Sequence, residues 1–156
     1  MDSPGVKILL ELVRQNKEFS NPRFADPIML GPGQAYHYTF WRNDILKDGR
    51  FRGTAFNAES LSCTQRGLRS PKATCDPGIV FAYGTLERSL REASGECDIL
   101  KIQYRAAVSA MHAPEAAIWG ENRAATVMII STDILMPPIY VGKVHELYHQ
   151  LIQNGL

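Results

Sequence analysis

The chain lacks any apolar run approaching the roughly 20 residues that a bilayer-spanning helix needs, so no membrane-embedded helix is expected. It is also poor in cysteine. Cys63, Cys75 and Cys97 match no metal-ligand spacing, and an odd number leaves one thiol unpaired in any disulfide scheme. A reduced, cytoplasmic setting follows as the expectation, with a single Cys63–Cys75 bridge left open. An excess of one charge is missing too. Seventeen Lys and Arg stand against sixteen Asp and Glu, a formal net charge of +1, whereas a general nucleic-acid binder carries a clear basic surplus. The first residues, Met1-Asp2-Ser3-Pro4, are polar, and Val6 to Val13 is interrupted by Lys7 and Glu11, so no secretory signal pattern is read there. Internal repeats and low-complexity tracts are absent.

What remains is a globular composition, 45% apolar and 21% charged over 156 residues. That length suits one well-packed domain, 1–156, divided into an N-terminal helix and connector (1–34), a core (35–144) and a C-terminal helix (145–156). A helix is expected from Asp2 or Ser3 to about Lys17, with Ile8, Leu9, Leu12 and Val13 as its apolar stripe. Asn21-Pro22 and Asp26-Pro27 then force an extended connector. Gly31-Pro32-Gly33 is a turn, and residues 44–48 read as a short helix stopped at Gly49. A strand is expected over Arg50 to Phe56, followed by a long polar loop to Pro77. Strands are further expected at 77–83, 99–104 and 126–131, with a helix from Leu86 to about Ala93. Pro137-Pro138 makes an extended turn, and Val141 to Leu151 reads as a strand end plus an amphipathic helix. This order is that of an α+β domain.

The segment Ala35-Tyr36-His37-Tyr38-Thr39-Phe40 carries the most chemistry. Residues two apart on a strand share a face, so His37 and Thr39 point together while Tyr36, Tyr38 and Phe40 take the other side. An imidazole and a hydroxyl on one rigid strand can build a polar ligand site.

Tyr36-His37-Tyr38-Thr39, followed by a short helix ending Ile45-Leu46-Lys47-Asp48-Gly49, resembles the first NAD-binding strand of the ADP-ribosyltransferase superfamily. The resemblance is to its diphtheria-toxin and poly(ADP-ribose) polymerase branch. Gly78-Ile79-Val80-Phe81-Ala82 looks like the central strand of that branch, with residues 86–90 as its helix, and Val127-Met128-Ile129-Ile130 is similar to a late strand. The resemblance implies split antiparallel β-sheets with flanking helices and an NAD cleft. It further implies NAD as substrate, and ADP-ribose transfer to a macromolecular acceptor, a protein in preference to a nucleic acid. Bacterial effector and toxin transferases share this reduced form, which adds delivery into a host cell as a setting. The His-Tyr-Glu triad of that branch is incomplete here. Its Tyr falls at Val80, and Tyr83 or Tyr38 is the substitute aromatic face for nicotinamide. Its Glu falls at Ala125-Thr126, and the nearest carboxylate is Glu121. A carboxylate matters because the ribose passes through an oxocarbenium-like state whose positive charge it offsets. Expected site residues are therefore His37 and Glu121 as the catalytic pair, with His37, Tyr38, Thr39, Gly78, Tyr83 and Thr126 holding NAD.

Other features have plainer readings. His145 and His149 stand at i, i+4 on a helix, a spacing that can hold a metal, but without a Glu or Cys partner in sequence they read as surface histidines. Arg50, Arg52, Arg66, Arg69 and Lys72 make the middle of the chain basic, as a solvated loop or as a site for phosphate or an acidic partner. Trp41 and Trp119 read as packing anchors, and Ser62 and Ser70 have no base nearby for a Ser-His hydrolase. Two alternatives stand beside the transferase: a catalytically degenerate binding module for a protein partner, and an RNA 2′-phosphotransferase-like enzyme.

Overall fold

A computed structural model describes residues 4–61, 75–93, 95–111 and 125–154. Among the described residues seven strands form one antiparallel sheet: β1 (Ile28–Leu30), β2 (Gly33–Thr39), β3 (Ile79–Tyr83), β4 (Asp98–Tyr104), β5 (Ala107–Ala110), β6 (Thr126–Ile130) and β7 (Ile134–Lys143). Their order across the sheet is β1-β5-β6-β3-β2-β4-β7. Among the described residues four α-helices flank it: α1 (Pro4–Gln15), α2 (Arg42–Asp48), α3 (Leu86–Glu92) and α4 (Val144–Gln153). The α+β expectation holds.

The sheet is two arms joined by a narrow seam. Within the arms pairing is continuous: β2 and β4 register from Gly33↔Tyr104 to Thr39↔Asp98, and β3 and β6 from Ile79↔Ile130 to Tyr83↔Thr126. Between the arms β2 meets β3 at one position, Tyr36↔Tyr83. Below that point β2 leaves, and Thr54 takes over the β3 edge by exchanging backbone hydrogen bonds with Ile79 at 2.9 and 2.8 Å.

One sheet face carries Ile79, Met128, Ile130, Val108 and Ala110, packed against Val6, Leu9, Leu10 and Val13 of α1. Each of these Val, Leu, Ile and Met side chains taken from water contributes about 1.5–3 kcal/mol. The helical stripe is thus displaced from the expected one, since Ile8 is 61% exposed. The same face of the other arm buries Ile99 with Leu90 of α3 and Leu147 of α4. On the opposite face Ala35, Val80, Ala82, Leu100, Ile102, Val127 and Ile129 form a second core with Phe51, and Ile45 of α2 packs onto it.

Local signals account for the helix ends. Gly49 closes α2 in the left-handed conformation at φ 69°, its N–H bonded to Ile45 O, and Thr85 caps α3 by accepting from Arg88 N at 3.2 Å. The strand expected over Arg50 to Phe56 does not form; Gly53 and Thr54 make two isolated bridges instead. Gly53 is required there because a Cβ would lie 2.3 Å from Ile79 O. Pro137-Pro138 does not end the last strand either. Both lie within β7, at the sheet edge, where a missing N–H costs no ladder bond. Cys75 is a free thiol, and Cys63 lies outside the described residues.

Candidate functional site

The alternation of β2 sends its residues where their spacing requires. Ala35, His37 and Thr39 share the face of Leu100 and Ile102, while Tyr36 and Tyr38 join Leu86 and Val144 on the other. His37 stands at the seam. Its Nδ1 lies 2.5 Å from Phe81 O, and its ring meets Phe51 edge-on, centroids 5.5 Å apart. Phe81 is two residues from both Tyr83, which pairs with Tyr36, and Ile79, which pairs with Thr54, so the imidazole occupies the gap between these two bridges.

Burial lowers the His37 pKa from its ordinary value, and the hydrogen bond to Phe81 O opposes this in part. A neutral ring that donates from Nδ1 keeps a lone pair on Nε2, ready to accept a hydrogen bond. Thr39 is buried, and its Oγ1 accepts from Trp41 N at 2.9 Å, which turns the chain into α2.

The remaining sequence candidates do not all join His37. Tyr38 and Tyr83 lie parallel, centroids 6.3 Å apart, on the opposite face, and Thr126 pairs with Tyr83 and Ala110 there. Gly78 is a packing residue: its N–H bonds Ser131 Oγ at 2.9 Å, its carbonyl accepts from Ser131 N at 2.8 Å, and a Cβ would meet Cys75 and Gly53 at 2.5–2.8 Å. Of the positions that the resemblance sets against the triad, Val80 and Ala125 share the His37 face as core residues 3% and 0% exposed, whereas Thr126 is half-buried on the Tyr83 face. Glu121, His112, Trp119, Arg66, Arg69, Lys72, Ser62 and Ser70 lie outside the described residues.

A group that sequence reasoning missed lies two strands away on the His37 face. Asp98 pairs with Thr39, and Tyr140 pairs with Leu100, the cross-strand partner of His37. Tyr140 donates to Asp98 Oδ1 at 2.9 Å, Arg42 Nε lies 3.4 Å from Asp98 Oδ2, and the Arg42 guanidinium stacks over the Tyr140 ring at 4.3 Å. Lys143 Nζ is 3.9 Å from Asp98 Oδ1. Desolvation, then the bond to Asp98 and its charge, and lastly the Glu146 carboxylate raise the Tyr140 pKa, while Arg42 lowers it. No local signal joins these residues; only the sheet register does.

On the far side, His145 and His149 touch edge to face at 4.6 Å beside Glu96, whose carboxylate accepts from His145 N at 3.2 Å. Among the described residues no group of three or more His, Cys, Asp or Glu is arranged to hold a metal ion. No helix among them is long and apolar enough to cross a membrane. No protein-family model, curated protein or solved structure matches the chain.

Proposed function

We propose that this chain binds NAD beside the seam of its two sheet arms and, as an ADP-ribosyltransferase-like enzyme, transfers ADP-ribose to a macromolecular acceptor, a protein, with release of nicotinamide. One observation carries the reading. His37 is fixed through Nδ1 to Phe81 O at the point where β2 and β3 part, so Nε2 is a pre-oriented acceptor for a ribose hydroxyl. Glu121 is the carboxylate proposed to offset charge on the ribose. Calorimetric titration with NAD, paired with a nicotinamide-release assay, tests this. NAD should bind, His37→Ala should weaken it by one or two hydrogen bonds, about 1–3 kcal/mol, and Glu121→Gln should slow release about a hundredfold at unchanged affinity. Absence of NAD binding by the parent chain refutes the reading.

A second reading, a degenerate binding module for a protein partner, is favoured by a specific observation. Val80, where the family resemblance would seat an aromatic ring, and Ala125, the first of the two positions where it would seat a carboxylate, are core residues, and the second, Thr126, faces away from His37. NAD binding without nicotinamide release from the parent chain would select it.

A further inference from the structure

Helix α4 carries an exposed stripe on which His145, Tyr148, His149 and Ile152 stand at i, i+3, i+4 and i+7. The helix is anchored from its other side, where Leu147 is buried with Leu90 and Ile99. Its first turn is anchored as well. Val144 N donates to Cys97 O at 2.9 Å, and His145 N donates to Glu96 Oε1 at 3.2 Å. The backbone beneath the two histidines is therefore fixed, while their exposed side chains can turn without disturbing the core. The start of a helix is partly positive and by itself repels a cation. The Glu96 carboxylate, seated on His145 N, offsets that charge.

The imidazoles of His145 and His149 already touch, their centroids 4.6 Å apart and their planes at 86°. An imidazole nitrogen binds a divalent ion at about 2.0–2.1 Å, which sets the ion about 3.2 Å from the ring centroid. Two centroids 4.6 Å apart then subtend about 90° at a shared ion. That is the angle between neighbouring positions of an octahedral or square-planar ion, and perpendicular ring planes fit there without clashing. A tetrahedral ion asks for a wider angle, so the rings would have to part by roughly half an ångström. Among the described residues no group of three or more such ligands forms, so the other coordination positions fall to water. There is room for it. Both imidazoles line a cavity of about 310 Å³ together with Gly95, Glu96, Val144 and Tyr148.

We propose that His145 and His149 chelate a late first-row divalent cation of the nickel and copper class, with its open positions toward the cavity over Gly95. The site lies on the face of the sheet opposite His37 and does not rest on the NAD reading. Calorimetry and thermal unfolding with Ni²⁺ as the probe test it, using the untagged chain above neutral pH, where imidazole is free to ligate. A Cys75→Ser background removes the exposed thiol as a competing ligand. The expected result is one Ni²⁺ per chain, bound more tightly than Zn²⁺, with no binding of Mg²⁺, which prefers oxygen ligands. His145→Gln and His149→Gln should each weaken Ni²⁺ by about tenfold or more and abolish the rise in Tm that Ni²⁺ gives the parent. Both positions are exposed, so neither change touches the packing of Leu147. The decisive control is the double variant His149→Gln with Gln150→His. It keeps the number of histidines but moves the second to i+5, off the shared face, and should bind no better than His149→Gln alone. Equal Ni²⁺ affinity in the parent and this double variant overturns the proposal, as does one Ni²⁺ per two chains or no Ni²⁺ binding by the parent.

Discussion

The stability of this fold should carry a pH dependence that belongs to His37. An imidazole in the unfolded chain titrates near 6.5, and burial at the seam pushes the folded value below that. Under these conditions the unfolded state binds the proton more readily. The contribution of His37 is therefore fully present above about pH 6.5 and is lost as pH falls through the unfolded pKa toward the folded one. For one proton the limiting slope is about 1.4 kcal/mol per pH unit. The ring is half-buried, so solvent screening keeps the real slope below that limit. At about 2–4 °C of Tm per kcal/mol for a domain of this size, the loss is at most about 3–6 °C per pH unit. His37→Asn is the control, because an Asn amide can supply the N–H that Nδ1 gives to Phe81 O without titrating. Thermal unfolding followed by circular dichroism between pH 8 and pH 5 reads the difference, with His112, His145 and His149 common to both proteins. Parent and variant should run parallel above pH 7 and diverge below 6.5, the parent falling faster. Parallel curves over the whole range would refute the neutral imidazole at the seam.

Gly53→Ala should cost on the order of 3 kcal/mol, seen as a lower urea midpoint, because its Cβ would lie 2.3 Å from Ile79 O where two backbones cross. Thr85→Ala should cost about 1 kcal/mol, or about 2–4 °C in Tm, through loss of the α3 cap to Arg88 N. Ala125→Glu should destabilise by on the order of 3 kcal/mol or more, since that position is fully buried, whereas Thr126→Glu should be tolerated yet add no nicotinamide release, its side chain being on the Tyr83 face. A gain of release in Thr126→Glu would contradict the strand register.

Strong periodicity was readable and weak periodicity was not. The alternation of Tyr36, His37, Tyr38 and Thr39 gave the two faces of β2, and the Gly49 stop and the apolar run of β6 were equally plain from sequence. Strands β1 and β5 were not legible, because three or four residues such as Ala107-Val108-Ser109-Ala110 are too few to show a period. For α1, apolar residues at Val6, Ile8, Leu9, Leu10, Leu12 and Val13 surround much of the helix, and docking onto β5 and β6 selected the face. At the site, His37 was legible from its strand, whereas Asp98 and Tyr140 come together through pairings of β4 with β2 and β7 that no local pattern encodes.

The retained His37-Tyr38-Thr39 segment carries less functional weight than its sequence suggests. Two of its polar atoms have structural employment: His37 Nδ1 serves the Phe81 carbonyl where the sheet divides, and Thr39 Oγ1 turns the chain into α2. A chain that had lost its ligand would still keep both residues for folding. The weight therefore moves to His37 Nε2, the ring nitrogen that the Phe81 carbonyl does not use. Catalysis poses the same question for carboxylates. Ala125 is the late-strand position on the His37 face, and the core excludes a charge there. Asp98 shares that face, but its charge is engaged by Arg42, Lys143 and the Tyr140 hydroxyl. A carboxylate that neutralises a ribose cation must then come from outside the sheet, and this gives Glu121→Gln its force: it separates an enzyme from a binding module built on the same frame.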